Sequence, residues 1–388
     1  MAVTAIRYTL FALGFAPLVY YLVSIFAAGR FFGRRNDLAP ASSSFTPPVS
    51  ILKPIYGLDR ETYENYASFC VQDYAEYEIL FCVSDEADPA VPVIRKIIQD
   101  FPDRTIRLLV GSEPLGVSDK VNKLCRMARE AQHEILIVSD SDVRVDADYL
   151  RATVAPFQDA KVGGVTGLYR GLTDGSLAAD LEAIGNSTDF VAGVLVAWLF
   201  SEVNFMLGAT MAVRKTVLAE IGGFESMVDY FSDDYELGNR IAAKGHRVAL
   251  IPHTVAIVYS QQTMRDAFQH QLRWNLSIRF SRPAGHLGLI FTQGLPLAIL
   301  AAACAPSIGW AVAVLAAYII LRRVSAWKIG VAGMKDLNLR NKMELLLLRD
   351  AFAFVVWVAS FFPRQILWRG KEFQVRDKRL VAVQNRQA

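Results

Sequence analysis

The residues best suited to chemistry are Asp140 and Asp142, which stand two positions apart directly after the largely apolar run 134–139. Such a run is typical of a buried β-strand, and open α/β sheets bind ligands beyond the carboxyl ends of their strands. Carboxylates suit Mg²⁺ or Mn²⁺, whose remaining coordination positions can go to diphosphate oxygens and water. The spacing therefore predicts a metal–diphosphate site, with a solvated acidic turn as the alternative.

A second acidic pair, Asp233 and Asp234, follows a glycine-rich turn at the expected start of a helix. An ionised and positioned carboxylate can take the proton of an attacking hydroxyl, as sugar transfer with inversion requires. The pair therefore predicts such a base, with Asp233 also a candidate nucleotide-sugar contact. A cap and a base can be adjacent residues, so the pattern itself leaves open which acid is the base. The alternative is capping of the helix, because acids at this end also favour the helix dipole.

Two further pairs of polar residues are candidates for binding a nucleotide, one just after a predicted strand and one at the start of a predicted helix. Asp85 and Asp88 come just after an apolar run and suit contacts to ribose hydroxyls or a uracil N–H, although an acid before proline also forms turns. Lys120 and Asn122 lie near the first turn of a helix after a glycine, where phosphate and nucleotide contacts are common. An ordinary helix start is the alternative for this second group.

A basic and aromatic box, His270-Gln271-Leu272-Arg273-Trp274, lies on a predicted helix. Arg273 suits a diphosphate, and Trp274, with His270, suits the wall of an acceptor site. Interfacial anchoring beside a membrane span is the alternative for the arginine and the tryptophan.

Short apolar runs alternate with helical segments through residues 49–282. This alternation predicts βαβ units and an α/β domain with a mainly parallel sheet. The predicted strands are 49–52, 78–83, 105–110 and 135–138, and the predicted helices are 60–70, 91–100 and 120–131.

The composition indicates a membrane protein, since 53% of the 388 residues are hydrophobic. Residues 8–28 are long enough to span a bilayer, and a cleaved signal ending near Ala27-Ala28-Gly29 is the alternative. Arg30, Arg34 and Arg35 follow this stretch, so the positive-inside rule places the domain after it in the cytoplasm, at an inner (cytoplasmic) membrane.

Further apolar stretches follow the α/β domain. Residues 287–321 predict a transmembrane hairpin, and 345–362, which contains Arg349 and Asp350, favours an interfacial or re-entrant helix over a span. The segment 186–204 either lines a lipid entrance or forms a buried amphipathic helix. The predicted order is an anchor over 1–35, a linker over 36–48, the α/β domain over 49–282, a hairpin over 283–322, and a basic interfacial or membrane helix and tail over 323–388.

Charge and cysteine content narrow the class of partners. A net charge of +3 is too small to argue for nucleic acid, and basic residues beside apolar segments suit anionic lipid head groups. The four widely separated cysteines show neither a zinc spacing nor a disulfide framework.

Taken together, the motifs resemble the inverting family 2 type glycosyltransferases with a GT-A fold, and more closely the ceramide glucosyltransferase branch; bacterial hopanoid glycosyltransferases look similar. The resemblance runs from Pro48 to about Trp274 and rests on Asp85, Lys120, Asp140, Asp234 and the Arg273-Trp274 pair. One departure is His270, which stands where the family's box has glutamine or arginine.

The resemblance implies a metal-dependent transfer of glucose or N-acetylglucosamine from a UDP-sugar to a hydroxyl of a membrane lipid, of ceramide or hopanoid type. Asp85 and Lys120 would hold the nucleotide, Asp140 and Asp142 the metal, and Asp234 would be the base. A processive polysaccharide synthase and a non-catalytic nucleotide-sugar-binding scaffold are the rival interpretations. The sequence leaves the donor sugar, the acceptor lipid, the metal and the oligomeric state open.

Overall fold

The computed structural model describes residues 2–34, 45–260, 262–362, 365–368, 371–376 and 378–382. The chain forms two compact units, each assembled from separated stretches. We call residues 34–172, 201–260 and 364–388 the sheet unit, and residues 1–33, 173–200 and 261–363 the helical unit. The predicted linker 36–48 lies outside the described residues as far as position 44.

The sheet unit is built on eight strands in the order β3-β2-β1-β4-β7-β6-β8-β5. Strands β1 to β4 and the pair β6–β8 run parallel to their neighbours within each set, whereas β7 and β5 are antiparallel to theirs. The bounds are β1 Val49–Pro54, β2 Tyr77–Val83, β3 Thr105–Val110, β4 Ile135–Val138, β5 Val143–Arg144, β6 Val162–Leu172, β7 Met211–Arg214 and β8 Arg247–Val258.

Helices of this unit connect the parallel strands as the alternating pattern predicts. In chain order, with the helical unit's helices included, they are α1 Ala2–Leu13, α2 Ala16–Gly33, α3 Thr62–Cys70, α4 Val91–Asp100, α5 Asp119–Glu130, α6 Tyr149–Val154, α7 Leu177–Gly185, α8 Val191–Phe200, α9 Lys215–Glu220, α10 Asp233–Ala243, α11 Met264–Ser281, α12 Pro283–Gly288, α13 Gly294–Cys304, α14 Ile308–Ala326, α15 Leu337–Asn341 and α16 Leu346–Ala359. The predicted strands 49–52, 78–83, 105–110 and 135–138 and the predicted helices after them are confirmed, with helix bounds shifted by at most two residues.

The sheet brings three acidic or polar loops to one edge. Strands β1, β2 and β4 are parallel neighbours, so the loops that follow Pro54, Val83 and Val138 leave the sheet at the same side. Two of these loops carry Asp85 with Asp88 and Asp140 with Asp142. The predicted mainly parallel α/β fold is therefore confirmed, and it places these motifs where such sheets bind ligands.

Among the described residues of the helical unit, three helices are long and apolar enough to cross a membrane: Ala2–Gly33, Leu177–Phe200 and Ile308–Gly333. A bent pair, Pro283–Thr292 with Gly294–Cys304, makes a fourth span if the two pieces count as one. The sequence analysis did not predict Leu177–Phe200 as a span. Four polar residues at 186–189 interrupt its apolar run, and they lie in the π-helical turn Asn186–Phe190.

Small residues allow close packing among these helices. A side chain at Gly14 would collide with Ala301, one at Gly294 would meet Tyr21, and Ser24 and Ser325 share a buried hydrogen bond of 2.8 Å. This is how membrane helices associate, since surrounding lipid is as apolar as their side chains and close contact and hydrogen bonds must hold them together.

Buried ion pairs explain the charges inside the stretch 345–362. Asp350 accepts three bonds from the Arg322 guanidinium, at 2.7, 2.9 and 3.1 Å, and one from the Tyr318 hydroxyl at 2.6 Å. Arg349 donates to Asp189 at 2.9 Å. Both charged residues of α16 are buried against opposite charges. They therefore give no reason to place this helix at the membrane surface.

The tail of the chain adds strands that the sequence analysis did not predict. They are β9 Gln365–Trp368, β10 Lys371–Arg376 and β11 Arg379–Ala382, in an antiparallel sheet of order β11-β10-β9. The basic residues of this tail obscured the alternation that indicates a strand.

Candidate active site

Lys120 lies at the centre of an acidic cluster in the sheet unit. Its Nζ is 2.9 Å from Asp140 Oδ1 and 3.3 Å from Asp233 Oδ2. Lys120 comes from the first turn of α5 and Asp140 from the loop after β4, while Asp233 opens α10. The structure thus brings together three motifs that are far apart in the sequence. Burial opposes the charge, but Asp140 and Asp233 outweigh it and raise the pKa of Lys120.

Gly208 faces this cluster and leaves it open. A methyl group at this position would lie 3.4 Å from Asp140 Oδ2, 3.6 Å from Asp234 Oδ2 and 3.9 Å from Lys120 Nζ. Two carboxylate oxygens and an ammonium therefore converge on a space that the absent side chain keeps clear. The sequence analysis missed Gly208, which has no motif around it.

Asp234 uses its two carboxylate oxygens differently. Oδ1 accepts the backbone N–H of Tyr235 at 2.7 Å in the first turn of α10, whereas Oδ2 is the oxygen that faces Gly208. Burial, with the neighbouring Asp233, raises the pKa of Asp234 to about 6 against the opposing effect of Lys120. A carboxylate with such a pKa can be ionised near neutral pH and still bind a proton readily, which suits a general base.

Lys53 is a buried residue of β1 that contacts the loop carrying Asp140 and Asp142. Its side chain is fully buried, its Nζ donates to the backbone carbonyl of Asp140 at 2.8 Å, and the ammonium lies 3.8 Å from the centre of the Phe69 ring. Burial lowers the pKa of Lys53 to about 7, against Asp140 and Asp142. The sequence offered one signal for this residue, a lysine inside an apolar strand.

The donor set fits a divalent ion. Asp140 and Asp142 offer only carboxylate oxygens, the ligand type that Mg²⁺ and Mn²⁺ favour. Burial, with the neighbouring Asp140 and Asp59, raises the pKa of Asp142 to about 7 against the opposing effect of Lys53, so a positive ion beside this carboxyl would favour its ionised form. Across the described part of the chain, no group of three or more His, Cys, Asp or Glu side chains forms a metal site. An ion here would therefore need oxygens from a bound diphosphate or water.

The other predicted nucleotide residues make structural contacts. Asp85 Oδ1 accepts the N–H of Ala87 at 2.7 Å, and Asp88 accepts N–H groups of Ala90 and Gly57 at 2.9 and 3.0 Å. These bonds are those of the turn that the sequence offered as the alternative. Asp85 is exposed at the strand edge, and its role toward a nucleotide stays a prediction.

Asn122 closes the loop in front of Lys120. Its amide donates to the Gly116 carbonyl at 2.9 Å and its Oδ1 accepts the Gly116 N–H at 3.1 Å. Both polar atoms are therefore engaged by backbone, and a direct nucleotide contact by Asn122 stays a prediction.

The segment Asp229–Phe231, just before the acidic pair, is held on two sides. Asp229 Oδ1 accepts the Val117 N–H at 3.0 Å, and a side chain at Gly116 would collide with Val228 and Asp229. On the other side the N–H of Leu380 in β11 donates to the Asp229 carbonyl at 2.7 Å, and the Phe231 N–H donates to the Lys378 carbonyl at 3.2 Å. The tail thus helps to hold the segment that leads into the proposed base.

The basic and aromatic box lies on α11 of the helical unit, as predicted. The rings of His270 and Trp274 meet edge to face, with centroids 4.8 Å apart. Phe190 lies near the same tryptophan, with centroids 6.5 Å apart. His270 Nδ1 contacts the fully buried carboxylate of Glu182 on α7. Glu182 is a residue that the sequence analysis missed, because nothing in the pattern of α7 distinguishes it from a surface acid.

Comparison with known proteins shows the family to which this chain belongs. The sequence profile described as Glycosyl transferase family 21 matches residues 9–381. Ceramide glucosyltransferase 1 of Caenorhabditis elegans is 29% identical over 229 residues, 59% of this chain and 49% of that protein. Ceramide glucosyltransferase 3 of the same organism is 27% identical over 267 residues, 66% of this chain and 55% of that protein. The chain thus spans about half the length of these curated relatives.

A solved structure shares the fold. The mannosyltransferase PcManGT from Pyrobaculum calidifontis, in complex with GDP-Man and Mn²⁺, superimposes with a TM-score of 0.51 at 20% identity, over 92% of this chain and 99% of that chain. At this identity the likeness concerns the fold alone, and it agrees with the predicted GT-A architecture.

Proposed function

The chain belongs to glycosyl transferase family 21, and from that premise we propose that it transfers glucose or N-acetylglucosamine from a UDP-sugar to a hydroxyl of a membrane lipid, with inversion. The observation that carries the chemistry is the convergence of Asp140, Asp234 and Lys120 on the space before Gly208. The relatives named ceramide glucosyltransferase support a lipid acceptor of ceramide type, and a hopanoid acceptor is the alternative within the proposal.

Asp234 is the proposed base. Its Oδ2 faces the open space, so it can accept the proton of the acceptor hydroxyl as that oxygen attacks the anomeric carbon. The new C–O bond forms on the face opposite the departing nucleoside diphosphate, and the proton remains on Asp234. Lys120 supplies fixed positive charge beside the same space and offsets the charge that develops on the leaving group.

Asp140 and Asp142 would hold the proposed divalent ion. When bound, it would neutralise charge on the diphosphate of the donor. For Asp85, Asp88, Asn122 and Asp233 we propose roles in placing the nucleotide-sugar, directly or through the loops they close. Arg273 and Trp274 are proposed, on the family resemblance, to contact the diphosphate and the acceptor.

The proposed location is the cytoplasmic (inner) membrane, with the sheet unit in the cytoplasm. Three candidate spans in the helical unit support membrane insertion. The arginines that follow the first of them support the orientation, because positive residues flank spans on the cytoplasmic side.

The experiment that tests this function uses full-length protein in lipid vesicles with radiolabelled UDP-glucose or UDP-N-acetylglucosamine, Mn²⁺ or Mg²⁺, and ceramide or a bacterial lipid extract. We expect label in the organic phase, lost on addition of EDTA and reduced roughly 100-fold or more in Asp234→Asn, because general-base catalysis contributes about that much. Asp103→Asn makes the same chemical change at an exposed position and serves as the matched control.

Two outcomes would contradict the proposal. Label in a water-soluble polymer would indicate a polysaccharide synthase. Retained binding of UDP-sugar without any transfer to either lipid would indicate a binding scaffold.

A further inference from the structure

His270 occupies the first position of the box, where the resembling family has glutamine or arginine. In the helical unit the histidine contacts both Glu182 and Trp274. The imidazole is part of a hydrogen-bonded group centred on a carboxylate that the motif does not include.

That carboxylate is Glu182, which has no exposed surface and three polar neighbours. Its Oε2 accepts the Gln262 amide at 2.6 Å, and its Oε1 accepts the Gln271 amide at 3.1 Å and contacts His270 Nδ1. A carboxylate accepts only, so the histidine nitrogen that faces it is the protonated one. This bond fixes which nitrogen carries the proton and how the ring is turned.

Fixing Nδ1 also fixes the opposite edge of the ring. His270 remains 28% exposed, so Nε2 is the nitrogen left for contact with a ligand. The same ring stands edge-on to Trp274, one helical turn further along α11. A rotation of the imidazole would therefore move Nε2 and change the contact with the tryptophan ring.

We propose that Glu182 is a positioning residue for the His270–Trp274 pair, holding the imidazole so that its Nε2 takes the place of the polar group that glutamine or arginine supplies in the family. This inference rests on the proposed function, because it assigns the pair to the acceptor and leaving-group side of that reaction. Carboxylates that orient histidines in this way in metal sites change activity about 10- to 100-fold when they are mutated.

A purely structural role makes a different prediction. Glu182 also joins α7 to α11 through Gln271, and that bond does not depend on the residue at position 270. If packing were all that mattered, replacing Glu182 would have the same effect whichever side chain stood at 270.

A double-mutant cycle separates the two roles. The variants are Glu182→Gln, His270→Gln and the double variant, in full-length protein in vesicles, with kcat and KM measured for donor and lipid. We expect Glu182→Gln to lower kcat about 10- to 100-fold in the native background. In the His270→Gln background we expect it to change kcat less than about 3-fold, because the group that it orients is gone. Glu344→Gln, at an exposed position of the same unit, is the matched control.

Equal effects in the two backgrounds would overturn the inference, while lack of any transfer by the native protein would instead refute the proposed function.

Thermal unfolding identifies variants that fail to fold. If Glu182→Gln fails to fold, the activities of His270→Asn and His270→Gln are compared instead, and their order tests the inference. Asparagine places its amide near Nδ1 and keeps the bond to Glu182, whereas glutamine reaches the position of Nε2, so we expect glutamine to be the more active. The reverse order would also overturn the inference.

Discussion

Adjacent carboxylates at the start of α10 have different surroundings and therefore different chemistry. Asp233 lies against the Lys120 ammonium, whereas Asp234 directs one oxygen at its own helix and the other at the space before Gly208. The sequence allowed one of the two acids to cap the helix and its neighbour to be a base. Asp234 instead turns separate oxygens to the helix and to the open space, which no residue pattern shows, because it depends on how the side chain is turned.

The pH dependence of transfer should report on Asp234. Its pKa is raised to about 6, so the carboxylate is mostly protonated below that pH and cannot act as a base. We expect kcat to fall as pH decreases through about 6, whereas an unshifted aspartate would stay ionised down to about 4. Asp233→Asn removes a charge that raises this pKa, so its acid limb should move to lower pH. An unchanged limb in that variant would contradict the assignment.

Gly208→Ala tests the open space itself. The added methyl would lie at ordinary contact distances of 3.4 to 3.9 Å from Asp140, Asp234 and Lys120, so the protein should fold. It would nevertheless occupy space beside the three groups that we propose face the donor. We expect at least a roughly 10-fold loss of kcat/KM for the UDP-sugar with an unchanged Tm, because misplacement by about 1 Å can cost more than this. Gly288→Ala, where an added methyl meets nothing within 4 Å, should leave both values unchanged.

At the scale of elements, the sequence predicted best where one local rule decided the outcome. Strands β1 to β4 have the apolar runs of buried parallel strands, and their bounds agree closely. The charged residues of α16 favoured an interfacial or re-entrant helix over a span, because the sequence does not show that their partners, Arg322 and Asp189, lie on other helices. Pairing between distant segments is a tertiary property, and a single sequence does not display it.

The buried pair Arg322–Asp350 gives a test at this scale. Asp350→Asn leaves the Arg322 charge without its bidentate partner, and removing one member of a buried pair costs about 3–5 kcal/mol. We expect a marked fall in Tm in detergent. The double variant Arg322→Met/Asp350→Leu removes both charges and leaves Asp189 bonded to Arg349, so it should recover much of the loss. If the double variant is no more stable than Asp350→Asn, the unpaired charge of Arg322 is not the cause of the lost stability, and the prediction is wrong.

At the scale of the whole molecule, each unit is assembled from stretches that are separated in the sequence. Residues 173–200 interrupt the sheet unit and contribute a candidate span and Glu182 to the helical unit. Composition and motif order predicted a membrane-bound α/β enzyme of this family, because both are properties of the sequence alone. They did not predict Lys53, Gly208 and Glu182, whose importance comes from their neighbours in space.

The contact between β11 and Asp229 also has a consequence for biosynthesis. A ribosome makes the chain from its N-terminus, so residues 379–382 are translated only after every helix of the helical unit. The segment that leads into Asp233 and Asp234 gains its strand partner after those helices have been made. A nascent chain therefore holds the segment before Asp233 and Asp234 without its β11 partner until translation has passed the candidate membrane helices.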